Sequence, residues 1–210
     1  AKPVIVDCDD SFCINPDLIE PKITSKTKAI LPVQLTGNVA DMDPIVNIAE
    51  KYGLMIIEDA CQAILAEYKG RKAGTWGIAA GFSLHPLKNL NVWGDGGIAV
   101  TNDDEIAKRI RILRNNGILD RDLVEELGYN TRLDTIQAAV LLAKLPTFPG
   151  EIEKRQVAAD LYTKHLGDCV EFQGIPENYQ SAWAQYSIMS PKRDLIQAAR
   201  QPNAGALAAL

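Results

Sequence analysis

An unbroken apolar run ends in two carboxylates in the first third of the chain. Residues 54–57 (Leu-Met-Ile-Ile) lead directly into Glu58 and Asp59. A strand is continuously apolar when both faces of its sheet are covered, as in parallel α/β sheets. Ligands of such sheets gather beyond the carboxyl ends of the strands. The run therefore predicts an α/β fold with Asp59 at the ligand-binding edge.

Strand and helix signals alternate on both sides of this run. A helix is predicted from about Asp41 to a stop at Gly53, and a capping box of Asn102 and Glu105 predicts the start of another. This βαβ order predicts a mostly parallel sheet flanked by helices. The further strand-like segments are residues 4–7, 28–35, 79–84 and 97–101.

The pattern changes to helices after about Leu133. Helices are predicted at residues 134–145 and 151–166, followed by a strand at 183–189 and a short helix from about Arg193. Pro146 and the pair Pro149-Gly150 are typical of a break between two units. We therefore predict a large ligand-binding domain over residues 1–147 and a partial, smaller C-terminal α+β domain over residues 148–210.

Composition excludes several classes of function. Of the 210 residues 23% are charged and the net charge is -5, with lysines and arginines spread among acids. No basic surface for nucleic acid or anionic lipid is therefore predicted. The apolar runs are strand-sized and too short to cross a membrane. Four cysteines without CxxC spacing and only two histidines predict reduced thiols in a cytoplasmic protein and no metal site.

Lys88 is the candidate for covalent chemistry, because it lies in an apolar stretch that runs into glycines at 94, 96 and 97. Singly, Lys88 fits a solvated lysine and Asp59 a helix cap. Ser83 fits a buried hydroxyl satisfied by backbone, and Gln62 a polar helix residue. Together they suit an enzyme that uses pyridoxal phosphate (PLP), which needs an amine for the aldehyde and an acid for the pyridinium nitrogen.

The stretch Gly94-Asp95-Gly96-Gly97-Ile98-Ala99 matches the residue pattern G-x-G-x-x-A of a dinucleotide-binding fingerprint, but not its structural context. That fingerprint follows a strand and opens a helix, whereas these glycines lead into a strand-like segment. The stretch Gly81-Phe82-Ser83 lacks the closing glycine of a nucleophile elbow, and the chain has no Walker-type G-K-[ST]. Dinucleotide-binding, hydrolase and nucleoside-triphosphatase functions are therefore set aside.

The chain resembles the DegT/DnrJ/StrS-type nucleotide-sugar aminotransferases, which are fold-type-I PLP enzymes. The resemblance implies PLP as cofactor and a homodimer with shared active sites. It also implies transfer of an amino group from glutamate, which becomes 2-oxoglutarate, to a keto group of a nucleotide-linked sugar. The matching stretches run in family order at residues 40–43, 57–63, 68–71, 82–89, 94–97, 101–103 and 128–139.

The resemblance also implies roles for five residues. Lys88 would bind the cofactor aldehyde covalently and later move a proton, while Asp59 would pair with the pyridinium nitrogen. Gln62 would contact the phenolic oxygen of the ring, and Ser83 would hold the phosphate. Asn130 would reach the phosphate of the neighbouring subunit's cofactor. From the residues alone Asn130 stays open, because its segment also fits a capped helix start.

The family pattern extends beyond this sequence at both ends. Family members begin well upstream and continue past Arg193 into a substrate segment, so we expect the N-terminal portion of the PLP-binding domain to be missing here. We expect these 210 residues alone to show no stable PLP absorbance band.

Two alternative functions stay open. One is a PLP-dependent sugar dehydratase or deoxygenase, a class in which histidine replaces the lysine. The other is a non-enzymatic regulatory or binding member of the family. Residues 183–186 resemble those of members that act on 3-keto uronic sugars of cell-surface polysaccharides.

Overall fold

Five α-helices and a set of short strands make up the described part of the chain. The computed structural model describes residues 1–199. The helices are α1 (Met42–Tyr52), α2 (Asp104–Leu113), α3 (Thr135–Lys144), α4 (Phe148–Leu166) and α5 (Arg193–Ala199), with 3-10 turns at Pro16–Leu18, Glu20–Lys22, Leu35–Gly37, Leu145–Thr147 and Gly167–Cys169. The strands are β1 (Ala29–Ile30), β2 (Met55–Asp59), β3 (Glu67–Tyr68), β4 (Arg71–Lys72), β5 (Ala79–Ser83), β6 (Gly97–Val100), β7 (Ile118–Asp120), β8 (Leu123–Val124), β9 (Glu171–Phe172), β10 (Tyr179–Gln180) and β11 (Ile188–Met189).

A four-stranded mixed sheet positions the site. Its strand order is β1-β2-β5-β6. The first two pairings are parallel and the last is antiparallel. Helix α1 connects β1 to β2, as a parallel pair requires a crossover. These pairings confirm the predicted α/β fold with a mostly parallel sheet. The remaining strands pair as β10-β3-β4, β11-β9 and β7-β8.

Helix α1 begins and ends where the sequence predicts. Asp41 is its N-cap, and Gly53 ends it in the left-handed conformation with φ of +61°. The N–H of Gly53 donates to the carbonyls of Ala49 and Glu50. Glycine adopts this conformation without a Cβ penalty. Ile45 and Ala49 are buried, and α1 contacts β1 and β2.

Three strand predictions differ from the structure. The strand predicted at 28–35 is reduced to β1, and Leu35 begins a 3-10 turn. Residues 4–7 form no strand, and the nearest pairing is an isolated bridge between Cys8 and Ile14. The strand predicted at 183–189 is reduced to β11 at its far end. Apolar alternation alone does not supply a neighbouring strand, and a strand forms only where its backbone groups find partners.

Two helix starts also differ from the prediction. Asp103, not Asn102, caps α2, and its carboxylate accepts hydrogen bonds from the N–H groups of Glu105 and Ile106. Helix α4 begins at Phe148 and not at Glu151, so the pair Pro149-Gly150 lies in its first turn. Proline is compatible with a first helical turn, because the N–H it lacks would have no partner in the helix.

One buried cluster joins the sheet to the helices on either side of the predicted domain boundary. Ile56 of β2 and Ile45 of α1 share it with Phe148 and Ile152 of α4 and with Ala182. The division into domains 1–147 and 148–210 stays a prediction, and residues 200–210 lie outside the described residues. Within residues 1–199, no helix combines the length and apolarity needed to cross a bilayer.

Candidate active site

Asp59 stands at the carboxyl end of β2. It lies opposite Gly81 in the parallel register of β2 and β5, and it forms an isolated bridge with Val33. The backbone N–H of Cys61 donates to Oδ1 of Asp59 at 3.1 Å. The chain turns directly after β2, and this contact ties the carboxylate to that turn.

Gly81 leaves open space beside Asp59. Register partners in neighbouring strands lie on the same face of a sheet. A Cβ built on Gly81 would meet no heavy atom within 4 Å. Ser83 is two residues further along β5, so it lies on that same face about 7 Å beyond Gly81. The ends of β2 and β5 therefore border an open space with a carboxylate and a hydroxyl on one face.

The Cys61 thiol lies beside Gly81, and two charged residues shift its pKa. Its Sγ donates to the carbonyl of Gly81 at 3.8 Å. Burial raises the pKa of Cys61 to about 11, and Asp59 adds to the rise through a hydrogen bond and through its charge. The Lys88 ammonium acts on the same pKa in the opposite direction. Asp59 and Lys88 are therefore both within electrostatic reach of one half-buried thiol.

Lys88 lies in a turn that follows β5. Its N–H donates to the carbonyl of His85 at 2.8 Å, and the turn closes where the N–H of Val92 donates to the carbonyl of Leu84 at 2.9 Å. Nδ1 of His85 accepts a hydrogen bond from the N–H of Leu87 at 3.2 Å. The His85 ring thus serves the conformation of the turn that carries Lys88.

Gln62 carries a buried oxygen without a hydrogen-bond partner. Its Oε1 is shielded from solvent and receives no donor from the described residues. The backbone carbonyl of Gln62 packs against Gly37, which has φ of +102°. A Cβ on Gly37 would lie 2.7 Å from the backbone nitrogen of Ala184, so a side chain there is excluded. Gln62 is thereby held close to the segment around Ala184 with part of its amide unsatisfied.

Asn130 has its contacts with residues other than the four remaining candidates. It forms an isolated bridge with Asn115, and its Oδ1 accepts a hydrogen bond from Nε of Arg132 at 3.4 Å. The Asn130 side chain is exposed, as is that of Tyr129. Over residues 1–199, no hydrogen bond links Asn130 to the group around Cys61.

Glu58, the residue before Asp59, is a buried carboxylate that sequence reasoning did not single out. It is 1% exposed. Successive strand residues point to opposite faces, so Glu58 anchors β2 on the face away from Asp59. Two adjacent acids in the sequence predict a carboxylate at the strand end, but they do not predict which of the two is buried. Glu58 accepts four hydrogen bonds, from the N–H groups of Gly74 (2.8 Å), Trp76 (2.6 Å) and Gly77 (3.1 Å) and from Nε2 of Gln34 (2.9 Å).

Metal-binding and disulfide chemistry have no support in the described residues. Among residues 1–199, no three His, Cys, Asp or Glu side chains are grouped so that they could hold a metal ion. The cysteines at positions 8, 13, 61 and 169 are free thiols.

Comparison with known proteins places this geometry in a family. The sequence model of the DegT/DnrJ/EryC1/StrS aminotransferase family matches residues 1–207. The chain belongs to this family. It is 45% identical over 203 residues to a pleiotropic regulatory protein of Geobacillus stearothermophilus, covering 94% of this chain and 55% of that protein. It is also 45% identical over 202 residues to the UDP-2-acetamido-2-deoxy-3-oxo-D-glucuronate aminotransferase of Pseudomonas aeruginosa, covering 94% and 56%.

Solved structures of DegT-family proteins share the fold. A DegT DnrJ EryC1 StrS aminotransferase from Brucella abortus superposes with a TM-score of 0.89 at 39% identity, covering 94% of this chain and 56% of that one. NtdA from Bacillus subtilis, solved with bound pyridoxamine phosphate (PMP), gives 0.84 at 32% identity, covering 95% and 47%. The chain thus has the fold-type-I architecture of PLP enzymes and spans about half the length of the curated relatives it matches.

The edge of the sheet in this DegT-family chain has room for a planar ring. The space beside Gly81 can receive a ring next to the Asp59 carboxylate. The unpartnered end of the Gln62 amide can present a donor or an acceptor to a ring substituent, because the two ends of an amide are assigned from their partners. The fit therefore rests on open space and on an unsatisfied polar group.

Proposed function

We propose that this protein is a PLP-dependent aminotransferase that moves an amino group from glutamate to a keto group of a nucleotide-linked sugar. The observation that carries the proposal is the open space beside Gly81, which the Asp59 carboxylate borders at the end of β2 and which the turn carrying Lys88 follows along the chain. A carboxylate and an amine in this arrangement suit a ring nitrogen and an aldehyde of one cofactor. Family membership supports the same chemistry, because several relatives are named as sugar transaminases.

When bound, PLP supplies an aldehyde and an electron-accepting ring. The residues of this chain hold it in place. The Asp59 carboxylate keeps a proton on the ring nitrogen, since an adjacent negative charge favours the protonated form. Gln62 is positioned for the phenolic oxygen, and Ser83, on the same face as Asp59, for the phosphate.

Lys88 has two tasks in this proposal. Its amine would hold the cofactor covalently through the aldehyde. When that amine is free, Lys88 would serve as the general base and acid that moves a proton. The Cys61 thiol does not compete for the aldehyde, because its pKa of about 11 keeps it protonated near neutral pH.

The acceptor in this proposal is a keto sugar attached to a nucleoside diphosphate. The P. aeruginosa relative is named for a UDP-linked 3-oxo uronic sugar, and a relative from Micromonospora megalomicea for a dTDP-linked sugar at 38% identity. Residues 183–186 favour a 3-keto uronic sugar of cell-surface polysaccharide synthesis. Trp183 and Tyr186 of this segment stack with ring centroids 5.5 Å apart.

The proposed assembly is a homodimer with shared active sites in the cytoplasm. The exposure of the Asn130 side chain supports a role in the neighbouring subunit's site. Tyr129 and Ile136, on either side of this residue, are each 70% exposed, so an apolar surface is available there for a second subunit. Four free thiols suit a reducing compartment.

A regulatory or binding function is the second candidate, because the G. stearothermophilus relative carries the name of a regulatory protein. A protein of this kind would retain the fold without turning over a sugar. The dehydratase or deoxygenase alternative is disfavoured by Lys88, which stands where that class has histidine.

The proposal is tested by locating the cofactor chemically. The full-length protein is incubated with PLP, reduced with borohydride and digested, and the labelled peptide is sequenced. We expect the label on Lys88, its loss in Lys88→Ala, and conversion of a nucleotide-linked keto sugar to an amino sugar with glutamate. A label on a different lysine overturns the site. A label on Lys88 without amino sugar formation favours the binding function, and a deoxy sugar product favours the dehydratase.

A further inference from the structure

A lysine of helix α3 reaches the segment that carries Lys88. Lys144, in the last turn of α3, is half-buried, and its Nζ donates to both oxygens of Asn91. The distances are 2.9 Å to the backbone carbonyl and 2.6 Å to Oδ1. An ammonium shared by two oxygens of one residue fixes both the main chain and the amide plane of that residue.

Asn91 in turn contacts Lys88. Its Nδ2 donates to the backbone carbonyl of Lys88 at 2.8 Å. Because Oδ1 of Asn91 is already bound by Lys144, the amide group can present only its nitrogen to Lys88. Lys144, Asn91 and Lys88 therefore form one continuous chain of hydrogen bonds across 56 positions of sequence.

Helix α3 holds the same segment at a second point. Oε1 of Gln137 accepts a hydrogen bond from the N–H of Trp93 at 2.7 Å. Gln137 and Lys144 are seven residues apart, which places them on one face of the helix two turns from each other. Leu141 lies between them and is buried. One face of α3 thus holds the chain that follows Lys88 at two points, Asn91 and Trp93.

The residue after Lys88 is held from another direction. Nδ2 of Asn89 donates to the backbone carbonyl of Ala182 at 2.6 Å. The main chain of Lys88 is therefore restrained on its C-terminal side by two separate elements. A reacting group with a fixed main chain has few conformations to lose when it meets its target, which favours reaction.

We propose that Asn91 and Lys144 are positioning residues that hold Lys88 for attack on the cofactor aldehyde. This inference rests on the proposed function. Neither residue touches the open space beside Gly81 in the contacts described above, so both act through Lys88. Their effect is therefore on the capture of an aldehyde by Lys88, and not on the fit of the cofactor ring and phosphate.

Two cofactor forms separate these effects. PLP has an aldehyde and is captured covalently, whereas PMP has none and binds only through its ring and phosphate. In the full-length protein, Lys144→Met removes the ammonium. Asn91→Asp keeps the acceptors for Lys144 but replaces the donor to Lys88 with an acceptor. Lys154→Met is the matched control, since Lys154 is an exposed lysine of α4 that pairs with Glu151.

Loss of a hydrogen bond to a charged or reacting group predicts a drop of about tenfold in the rate of PLP capture for Lys144→Met and Asn91→Asp. PMP affinity is expected to change less than about twofold in both, as for the surface control. Lys144→Arg, which keeps charge and donors, is expected to restore most of the capture rate. Unchanged PLP capture in both variants overturns the proposal, and so do equal losses of PLP and PMP binding.

The positioning of Lys88 can be tested even if the proposed aminotransferase function is wrong. If the parent protein does not capture PLP on Lys88, the aminotransferase proposal is wrong. The positioning of Lys88 is then tested by the rate at which an acetylating reagent modifies its amine. In the cofactor-free protein, a changed rate of Lys88 acetylation in Lys144→Met and Asn91→Asp, with Lys154→Met unchanged, supports positioning. The same Lys88 rate in all four proteins overturns it.

Discussion

The Asp59 carboxylate and the Lys88 ammonium shift the pKa of the same thiol, that of Cys61, in opposite directions. These two residues come from different segments, one at the end of β2 and one in the turn after β5. Their common effect on Cys61 is a property of the protein without cofactor. It therefore offers a test of the site that does not depend on catalysis.

Removing either charge should change the reactivity of Cys61 with opposite sign. Asp59→Asn removes a negative charge that raises the Cys61 pKa, so more thiolate forms and alkylation at pH 8 is faster. Lys88→Ala removes a positive charge that lowers this pKa, so alkylation is slower. Each unit of pKa corresponds to about a tenfold change in thiolate fraction below the pKa. The measurement is the pH–rate profile of iodoacetamide labelling, followed by peptide mapping.

Cys8, which is exposed, provides an internal standard in the same samples. Its labelling rate should be the same in the parent protein and in both variants. Shifts of Cys61 in the same direction in the two variants would show that Asp59 and Lys88 do not share this site.

Filling the space beside Gly81 should block cofactor binding without unfolding the protein. A Cβ at Gly81 meets nothing within 4 Å, and valine suits a strand, so Gly81→Val should fold. The added branched side chain occupies room proposed for the ring, and overpacking of this size predicts a loss of about tenfold or more in PMP affinity. Equilibrium titration with PMP measures the effect, with circular dichroism as the check on folding.

Gly150 is the control for this substitution. It lies in α4, and a Cβ there also meets no atom within 4 Å. Gly150→Ala should bind PMP as the parent does and should be slightly more stable, because alanine favours a helix. If Gly81→Val binds PMP with the affinity of the parent protein, the cofactor ring does not occupy the space beside Gly81.

The sequence predicts the site best where one strand or turn determines it. The apolar run into Asp59 and the stop of α1 at Gly53 are local patterns, and the structure confirms both elements. The resemblance adds the residues whose roles depend on a cofactor, which no local pattern defines. Those roles stay predictions.

Contacts between distant segments are not predictable in this way. The contact of Lys144 with Asn91 joins residues 53 positions apart and depends on where α3 packs. From the sequence alone, a lysine at the end of an apolar helix is predicted to be a solvated charge. The same limit applies at Pro149-Gly150, which begins α4, since proline begins a helix as readily as it separates two.

Glu58 should be a large contributor to stability. Its carboxylate accepts four hydrogen bonds in a buried site, three of them from backbone N–H groups. Glu58→Gln places an NH2 group against donors and leaves at least one of them unpaired, so we expect a loss of about 3 kcal/mol in the free energy of unfolding. Urea unfolding of the full-length protein measures it. Glu177→Gln, at an exposed position, should change the unfolding free energy by less than about 0.5 kcal/mol.

The shared site can be tested by mixing two inactive variants. Asn130→Asp places a carboxylate against the phosphate proposed to lie in the other subunit, and Lys88→Ala removes the amine. In a mixed dimer, one site combines Lys88 of one subunit with Asn130 of the other and is intact. Random reassociation of equal amounts should therefore restore about one quarter of the parent aminotransferase activity, since half of the dimers are mixed and each has one intact site. If Asn130 served the site of its own subunit, every site in the mixture would lack one of the two residues, and the mixture would stay as inactive as its components.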